Sequence, residues 1–259
     1  MPADIAAITD WVNAQIAKPT YAPEVLKEYP DLTPAEAYQV QIERMRRCVK
    51  AGDRIIGYKA ALTNKKMQER YGVGEPVLGT MLASRQYPDY APVSTATHIQ
   101  TTLEPEVAVL IGSRLKGPGL TAESVLPAIA GYMPCVEIGD LRTKGERSLQ
   151  QTICCNTYNG GHVFGGALVR PEGIDLALEG MVLRINGEIR STGTGANVLD
   201  NPLNAVAFMA NKLGDLDLAL EPGMMLMTGS IVMSEEMHPG DDVQVSFTRL
   251  GTVNTRFTA

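Results

Sequence analysis

Along the first fifty residues the hydrophobic positions recur at helical spacing, and from about residue 55 they give way to short apolar runs broken by Gly, Pro, Asp and Asn. Ile5, Ile8, Trp11, Val12 and Ile16 predict an amphipathic helix at the start of the chain. The stretch DLTPAEAYQVQIERMRRCVKAGD predicts a second helix. Thr33 suits its N-cap, Pro34 its first turn, and Glu36 completes a capping box. Tyr38, Ile42, Met45 and Val49 would form one buried stripe, and Gly52 is the natural stop. Strands are predicted at RIIGYKAAL, PEVAVLIG, PCVEIGDL, MVLRI, MMLMTG, VQVSF and TVNTRF. Asn186-Gly187 reads as a two-residue hairpin turn between VLRI and EIRS. A last helix is marked by Asp200 or Asn201 as cap, Pro202 in the first turn and the apolar face of LNAVAFMANKL. The pattern is α+β: a helical N-terminal part over residues 1–75 and a β-rich body over residues 76–259, expected to form one compact domain.

Composition narrows the functional classes. A net charge of −6 argues against nucleic acid or an anionic membrane as the main partner. The basic group Arg44, Arg46, Arg47 and Lys50 reads as a solvated helix face. No apolar run approaches the ~20 residues that span a bilayer. Cys48, Cys135, Cys154 and Cys155 lack C-x-x-C spacing, which suits free thiols in a reducing compartment. Asp4 and Asp10 sit where a secretory signal would be basic and then apolar, so the expected location is cytoplasmic.

Three acids interrupt this ordinary picture. In TTLEPEVAVLIG, the strand period of two puts Glu104 and Glu106 on one face, their Cα atoms about 7 Å apart. Like charges leading into a core are costly unless something positive lies between them. Glu137, flanked by Val136 and Ile138, is either a partly exposed edge residue or a third member of the set. Taken together, three glutamates on two strands could supply an all-oxygen site for a hard divalent cation. Asp140 is then either a supporting acid or a turn residue. Lys59, inside the apolar IIGYKAAL, is either a snorkelling or ion-paired lysine, or a proton-transferring group whose pKa is lowered by a desolvated pocket. Gly229-Ser230, ending MTGS, either offers an N–H and a hydroxyl to a carboxylate or is a tight turn. The run NGGHVFGG matches no phosphate-binding spacing, His98, His162 and His238 match no zinc spacing, and no G-x-S-x-G elbow is present.

GYKAALTNKKMQERYGV, LEPEVAVLIG, PCVEIGDLR, NPLNAVAFMANKL, PGMMLMTGS and PGDDVQVSFTRLGTVNTRF, in that order, resemble the 2-keto-4-pentenoate hydratase and 4-oxalocrotonate decarboxylase family of the fumarylacetoacetate hydrolase superfamily. The resemblance runs from about residue 30 to the C-terminus. It implies a mixed β-sandwich or roll with flanking helices. It also implies Mg²⁺ or Mn²⁺ held by Glu104, Glu106 and Glu137, with Lys59 beside them as the catalytic residue. Asn156, Tyr158, Gly229 and Ser230 are then expected to contact substrate, with Asp140 and Arg142 supporting from behind.

The implied activity is that of a hydratase, adding water to a small 2-hydroxydienoate or 2-oxoenoate to give a 4-hydroxy-2-oxo acid. The alternative is decarboxylation of a 2-oxo-3-enedioate, with acylpyruvate C–C hydrolysis or a non-catalytic partner subunit further off. A homo-oligomer, and a complex with a partner enzyme of the same pathway, are also implied. Two blocks depart from the hydratase pattern: Val77 stands where an acid is usual, and Cys155, Asn156, Thr157, Tyr158 and Asn159 replace D-N-A-S-S.

Overall fold

The computed structural model describes residues 3–259, Arg70 by its backbone alone. Two N-terminal helices form where expected, α1 (Ile5–Ile16) and α3 (Pro34–Lys50), with the single turn α2 (Val25–Glu28) between them. The capping box of α3 is complete: the Glu36 N–H donates to Thr33 Oγ1 at 3.2 Å, and the Thr33 N–H donates to Glu36 Oε2 at 2.9 Å.

The buried stripe of α3 differs from the predicted one. Ala37, Tyr38, Val40, Gln41, Arg44 and Met45 are buried, whereas Val49 is 44% exposed. Arg44 is therefore no part of a solvated face. Its guanidinium donates to the Cys154 carbonyl and, at 2.8 Å, to the Asn13 side chain, so it joins α3 to α1 and to the segment leading into the site. Arg46 and Arg47 do behave as surface residues, pairing with Glu43 one turn away.

Among the described residues thirteen strands build two sheets. The larger contains β1 (Ile55–Ala61), β2 (Val77–Leu82), β3 (Gln86–Tyr87), β5 (Thr101–Ile111), β6 (Ile129–Asp140), β7 (Asn159–Phe164), β10 (Met225–Met227) and β11 (Glu235–Glu236), ordered β2-β1-β10-β5-β6-β7-β3 with β11 on β5. The smaller contains β4 (Pro92–Ser94), β8 (Gly180–Ile185), β9 (Glu188–Thr194), β12 (Asp242–Phe247) and β13 (Gly251–Thr258), ordered β4-β13-β12-β8-β9. Asn186 and Gly187 turn the β8–β9 hairpin, both at positive φ (54° and 83°) as a type I′ turn demands. Helix α4 (Lys65–Tyr71) leads into β2, α5 (Ala122–Val125) precedes β6, α6 (Leu149–Cys154) precedes β7, and α7 (Pro202–Asp215), capped by Asn201, packs against β1 and α5.

The large sheet curls until β2, at one edge of the order, meets β7 near the other. Its outer side belongs to the main apolar core. Its inner side carries a separate buried cluster, Met81, Ala108, Cys135 and Met227. By strand alternation Glu104, Glu106 and Glu137 share that inner side with Ala108 and Cys135. Among the described residues no helix is long and apolar enough to cross a membrane, and all four cysteines are free thiols.

Candidate active site

The antiparallel register of β5 and β6 sets Glu104 directly opposite Glu137 and Glu106 opposite Cys135. Glu137 is thus cross-strand to one acid and diagonal to the other. One carboxylate oxygen from each of the three lies within 4.8 Å of the others. Glu137 is no edge residue: β6 is flanked by β5 and β7, and Glu137 is 2% exposed.

Lys59 reaches this group from three strands away. On a flat sheet the separation from β1 to β6 would be about 14 Å, too far for a lysine and a glutamate to meet. The curl closes it, and Lys59 Nζ donates to Glu137 Oε2 with both side chains buried. Gly79, paired with Lys59 across β1 and β2, leaves room for the stem: a Cβ there would lie 2.9 Å from Lys59 Cγ and 2.4 Å from Thr157 Oγ1. The other Glu137 oxygen accepts from Asn159 Nδ2 at 2.9 Å.

Three acids and one ammonium leave an excess of negative charge in a desolvated place. Burial, then the Glu137 charge, pushes the Glu104 carboxyl up to about 7 and the Glu106 carboxyl well above the carboxylate range. Of the two readings of Lys59 the ion-paired one holds, and its pKa is not lowered. Burial pulls its pKa down, but Glu137, Glu104 and Glu106 outweigh that and hold the ammonium above its ordinary value. Glu106 is fully buried, yet only Oε2 has a partner, the Gly229 N–H at 2.7 Å; Oε1 has none. An acceptor orphaned among converging carboxylates fits a hard divalent cation such as Mg²⁺ or Mn²⁺, which takes oxygen ligands and would satisfy it.

The acids open on a cavity of 810 Å³ lined by residues of both sheets, among them Thr157, Tyr158, Ser191, Ser230 and Arg147. The other anticipated residues are placed as follows. Tyr158 lines the cavity, and its hydroxyl is buried, which holds its pKa well above normal. Asn156 is turned away from it: its amide accepts from the Thr80 N–H and donates to the Thr80 carbonyl, both at 2.8 Å, in place of a neighbouring strand on β2. These bonds help to hold Asn156, Thr157 and Tyr158 at φ of 53°, 52° and 59°, a left-handed turn costing roughly 1–2 kcal/mol per residue. Gly229 gives its N–H to Glu106, so the carboxylate it serves is the protein's own. Its φ of 111° and the 2.2 Å from a would-be Cβ to Thr63 Oγ1 demand glycine. The Ser230 hydroxyl lines the cavity and donates to the Val232 carbonyl at 2.7 Å.

Asp140 and Arg142 clamp the N-terminal segment instead of supporting the acids. Asp140 accepts from the Ile99 N–H at 2.8 Å and from Arg142 Nε, and Arg142 donates to the carbonyls of Ile16 (2.6 Å) and Thr97 (2.8 Å). Asp140→Ala should therefore lower folding stability by about 1–3 kcal/mol in denaturant titration, while kcat stays within threefold of the parent. Val77 lines a different cavity of 350 Å³, beside Tyr38 and Lys212.

Sequence reasoning missed Asn159, Arg147 and Ser191. Asn159 lay within a block already singled out. Arg147 and Ser191 sit in polar segments with no periodicity to mark them.

Residues 42–258 match the fumarylacetoacetate (FAA) hydrolase C-terminal family model. The chain is 33% identical over 235 residues to 4-oxalocrotonate decarboxylase of Pseudomonas putida, covering 90% of this chain and 89% of that protein. It is 32% identical to 2-oxo-hept-4-ene-1,7-dioate hydratase of Escherichia coli, with 89% of each covered. The structure of 4-oxalocrotonate decarboxylase from Pseudomonas putida G7, complexed with magnesium and adipate, superposes at a TM-score of 0.94 with 31% identity, covering 98% of this chain and 97% of that one. With most of its length matched in sequence and in fold, this chain belongs to the fumarylacetoacetate hydrolase C-terminal family.

Proposed function

We propose that the protein is a divalent-metal-dependent lyase of hydratase type, acting on a 2-hydroxydienoate or 2-oxoenoate. The observation that carries this reading is the convergence of Glu104, Glu106 and Glu137, with Glu106 Oε1 lacking a partner, beside a buried Lys59. Mg²⁺ or Mn²⁺ would be held by the three carboxylates, and supplies, when bound, a Lewis acid for the C1 carboxylate and C2 oxygen of the substrate.

The chain's own groups do the rest. Lys59 Nζ holds the proton that moves. Its ammonium is kept charged by the three carboxylates, which would make Nζ the group that hands a proton to the bound acid and takes one back. Asn159 fixes the orientation of Glu137, the Gly229 N–H that of Glu106. Tyr158 would form part of the wall against the bound acid.

A second reading is decarboxylation of a 2-oxo-3-enedioate: loss of CO2 needs an electron sink but no activated water, and the acid usual at position 77 of the hydratase pattern is absent from this sequence. The names of the relatives span both activities. Product analysis separates them. With Mg²⁺, hydratase action consumes the ultraviolet absorbance of 2-hydroxypenta-2,4-dienoate or of 2-hydroxyhepta-2,4-dienedioate and yields a 4-hydroxy-2-oxo acid, whereas decarboxylase action releases CO2 from 2-oxohex-3-enedioate. Turnover of none of the three acids would contradict both. A cytoplasmic homo-oligomer, associating with a partner enzyme of its pathway, completes the proposal; the four free thiols fit a reducing compartment.

The raised carboxyls set a pH dependence. A cation displaces the proton that Glu104 retains below about pH 7 and the one that Glu106 holds more firmly than an ordinary carboxyl. Mg²⁺ affinity should therefore climb as pH rises from 5 towards about 7, with proton release, and the Glu104 contribution should flatten above that value. Calorimetry in two buffers of different ionisation enthalpy reads both quantities.

A further inference from the structure

We propose that the substrate is a dicarboxylate, and that Arg147 grips the carboxylate farther from the reacting end. The inference rests on the lyase reading above and specifies its substrate class. Arg147 lies in the segment joining β6 to α6 and lines the cavity. Its guanidinium stacks over the Tyr158 ring at 5.3 Å from the centroid, and its Nε is buried with no hydrogen-bond partner. Other arginines packed into the fold are spent: Arg142 on Asp140 and two carbonyls, Arg249 on Glu179, Arg44 on Asn13 and Cys154.

A desolvated guanidinium N–H without an acceptor is costly to keep. Here it is also fixed in place, because the left-handed turn at residues 156–158 sets the ring beneath it. Planar, charged and bidentate, a guanidinium suits a carboxylate above other anionic or neutral partners of comparable size. The 2-oxo acid end of the substrate is already claimed by the cluster of glutamates, which leaves Arg147 for a second carboxylate. The volume agrees: 810 Å³ lies in the upper part of the ~300–1,000 Å³ range of small-molecule sites and exceeds what a five-carbon acid fills.

The test compares two ligands that differ only at the far end, 2-oxoadipate and 2-oxohexanoate, by calorimetry on the Mg²⁺-loaded protein. The variants are Arg147→Met, which keeps an apolar stem over Tyr158, and Arg147→Lys, which keeps the charge. The parent should bind 2-oxoadipate at least tenfold more tightly than 2-oxohexanoate. Arg147→Met should abolish that preference while leaving 2-oxohexanoate within twofold, and Arg147→Lys should retain part of it. No preference in the parent, or an equal loss for both ligands in Arg147→Met, overturns the proposal. Binding needs no turnover, so the two readings fail separately. An Arg147-dependent preference without reaction on any 2-oxo acid would sink the lyase reading alone, and turnover without the preference would sink this one alone.

Discussion

Glu106→Gln is expected to weaken Mg²⁺ binding by more than roughly 100-fold, since losing a mere supporting contact to a metal ligand already costs 10–100-fold. Turnover at fixed Mg²⁺ should fall at least as far. Glutamine keeps the size of the side chain and can still accept the Gly229 N–H, so packing is preserved. What disappears is a charge in the least solvated position of the three, on an oxygen that nothing else satisfies. The same substitution should leave the melting temperature of the metal-free protein unchanged or higher. Burial and Glu137 hold the Glu106 carboxyl well above its ordinary pKa, so an ionised Glu106 is a burden to the fold unless a cation is present. Loss of activity together with a large drop in metal-free stability would mean that Glu106 is structural.

Lys59→Met separates proton transfer from metal binding. We expect kcat to fall by about 10²–10⁴-fold, the usual worth of a positioned acid or base. Metal affinity should be retained or increased, because the Lys59 ammonium occupies a Glu137 oxygen that a cation would use. The metal-free variant should lose stability, by about 3–5 kcal/mol if the carboxylates stay charged and by less if they take up protons instead. Added Mg²⁺ should restore it. Parallel loss of kcat and of Mg²⁺ affinity would show Lys59 acting only as a scaffold for Glu137. Stopped-flow turnover and calorimetry on the same preparation decide between these outcomes.

The candidate site was legible wherever a residue broke a pattern. Glu104, Glu106 and Glu137 announced themselves as charges inside apolar strands, and the period of two placed the first pair correctly on one face. Lys59 was visible for the same reason, but its partner was not. The pairing with Glu137 depends on the sheet curling across three strand spacings, a property of the whole β-topology and of no local segment. Of its two anticipated states the ion-paired one is found, because the summed pull of three carboxylates outweighs burial.

Asp140 and Arg142 sit two residues apart beside Glu137, and proximity in sequence suggested a shared task. Strand alternation and the docking of α1 give them a different one. Asn156 proved to be backbone mimicry, a use of an amide that carries no sequence signal. Among the elements, the short strands β3, β4 and β11 were missed, and with them two longer ones: β2, which contains Gly79, and β7, where glycines in NGGHVF suppress the strand pattern because close backbone approach, with Tyr87 against Gly161, is what that position requires. Arg44 was read as surface on the strength of its basic neighbours, although it lies one turn before Cys48 on the buried side of α3.

The measurement that bears most directly on the metal-dependent lyase is the ultraviolet absorbance of a 2-hydroxydienoate followed with chelator-treated protein while Mg²⁺ is titrated in. The absorbance should persist until Mg²⁺ is added, then decay at a rate that saturates with one ion bound per chain, and Glu106→Gln should remain inert at the same concentrations. Decay at full rate in the presence of chelator would contradict the assignment of Glu104, Glu106 and Glu137 as the residues that hold the working cation, and no decay after Mg²⁺ reaches saturation would contradict the hydratase reading.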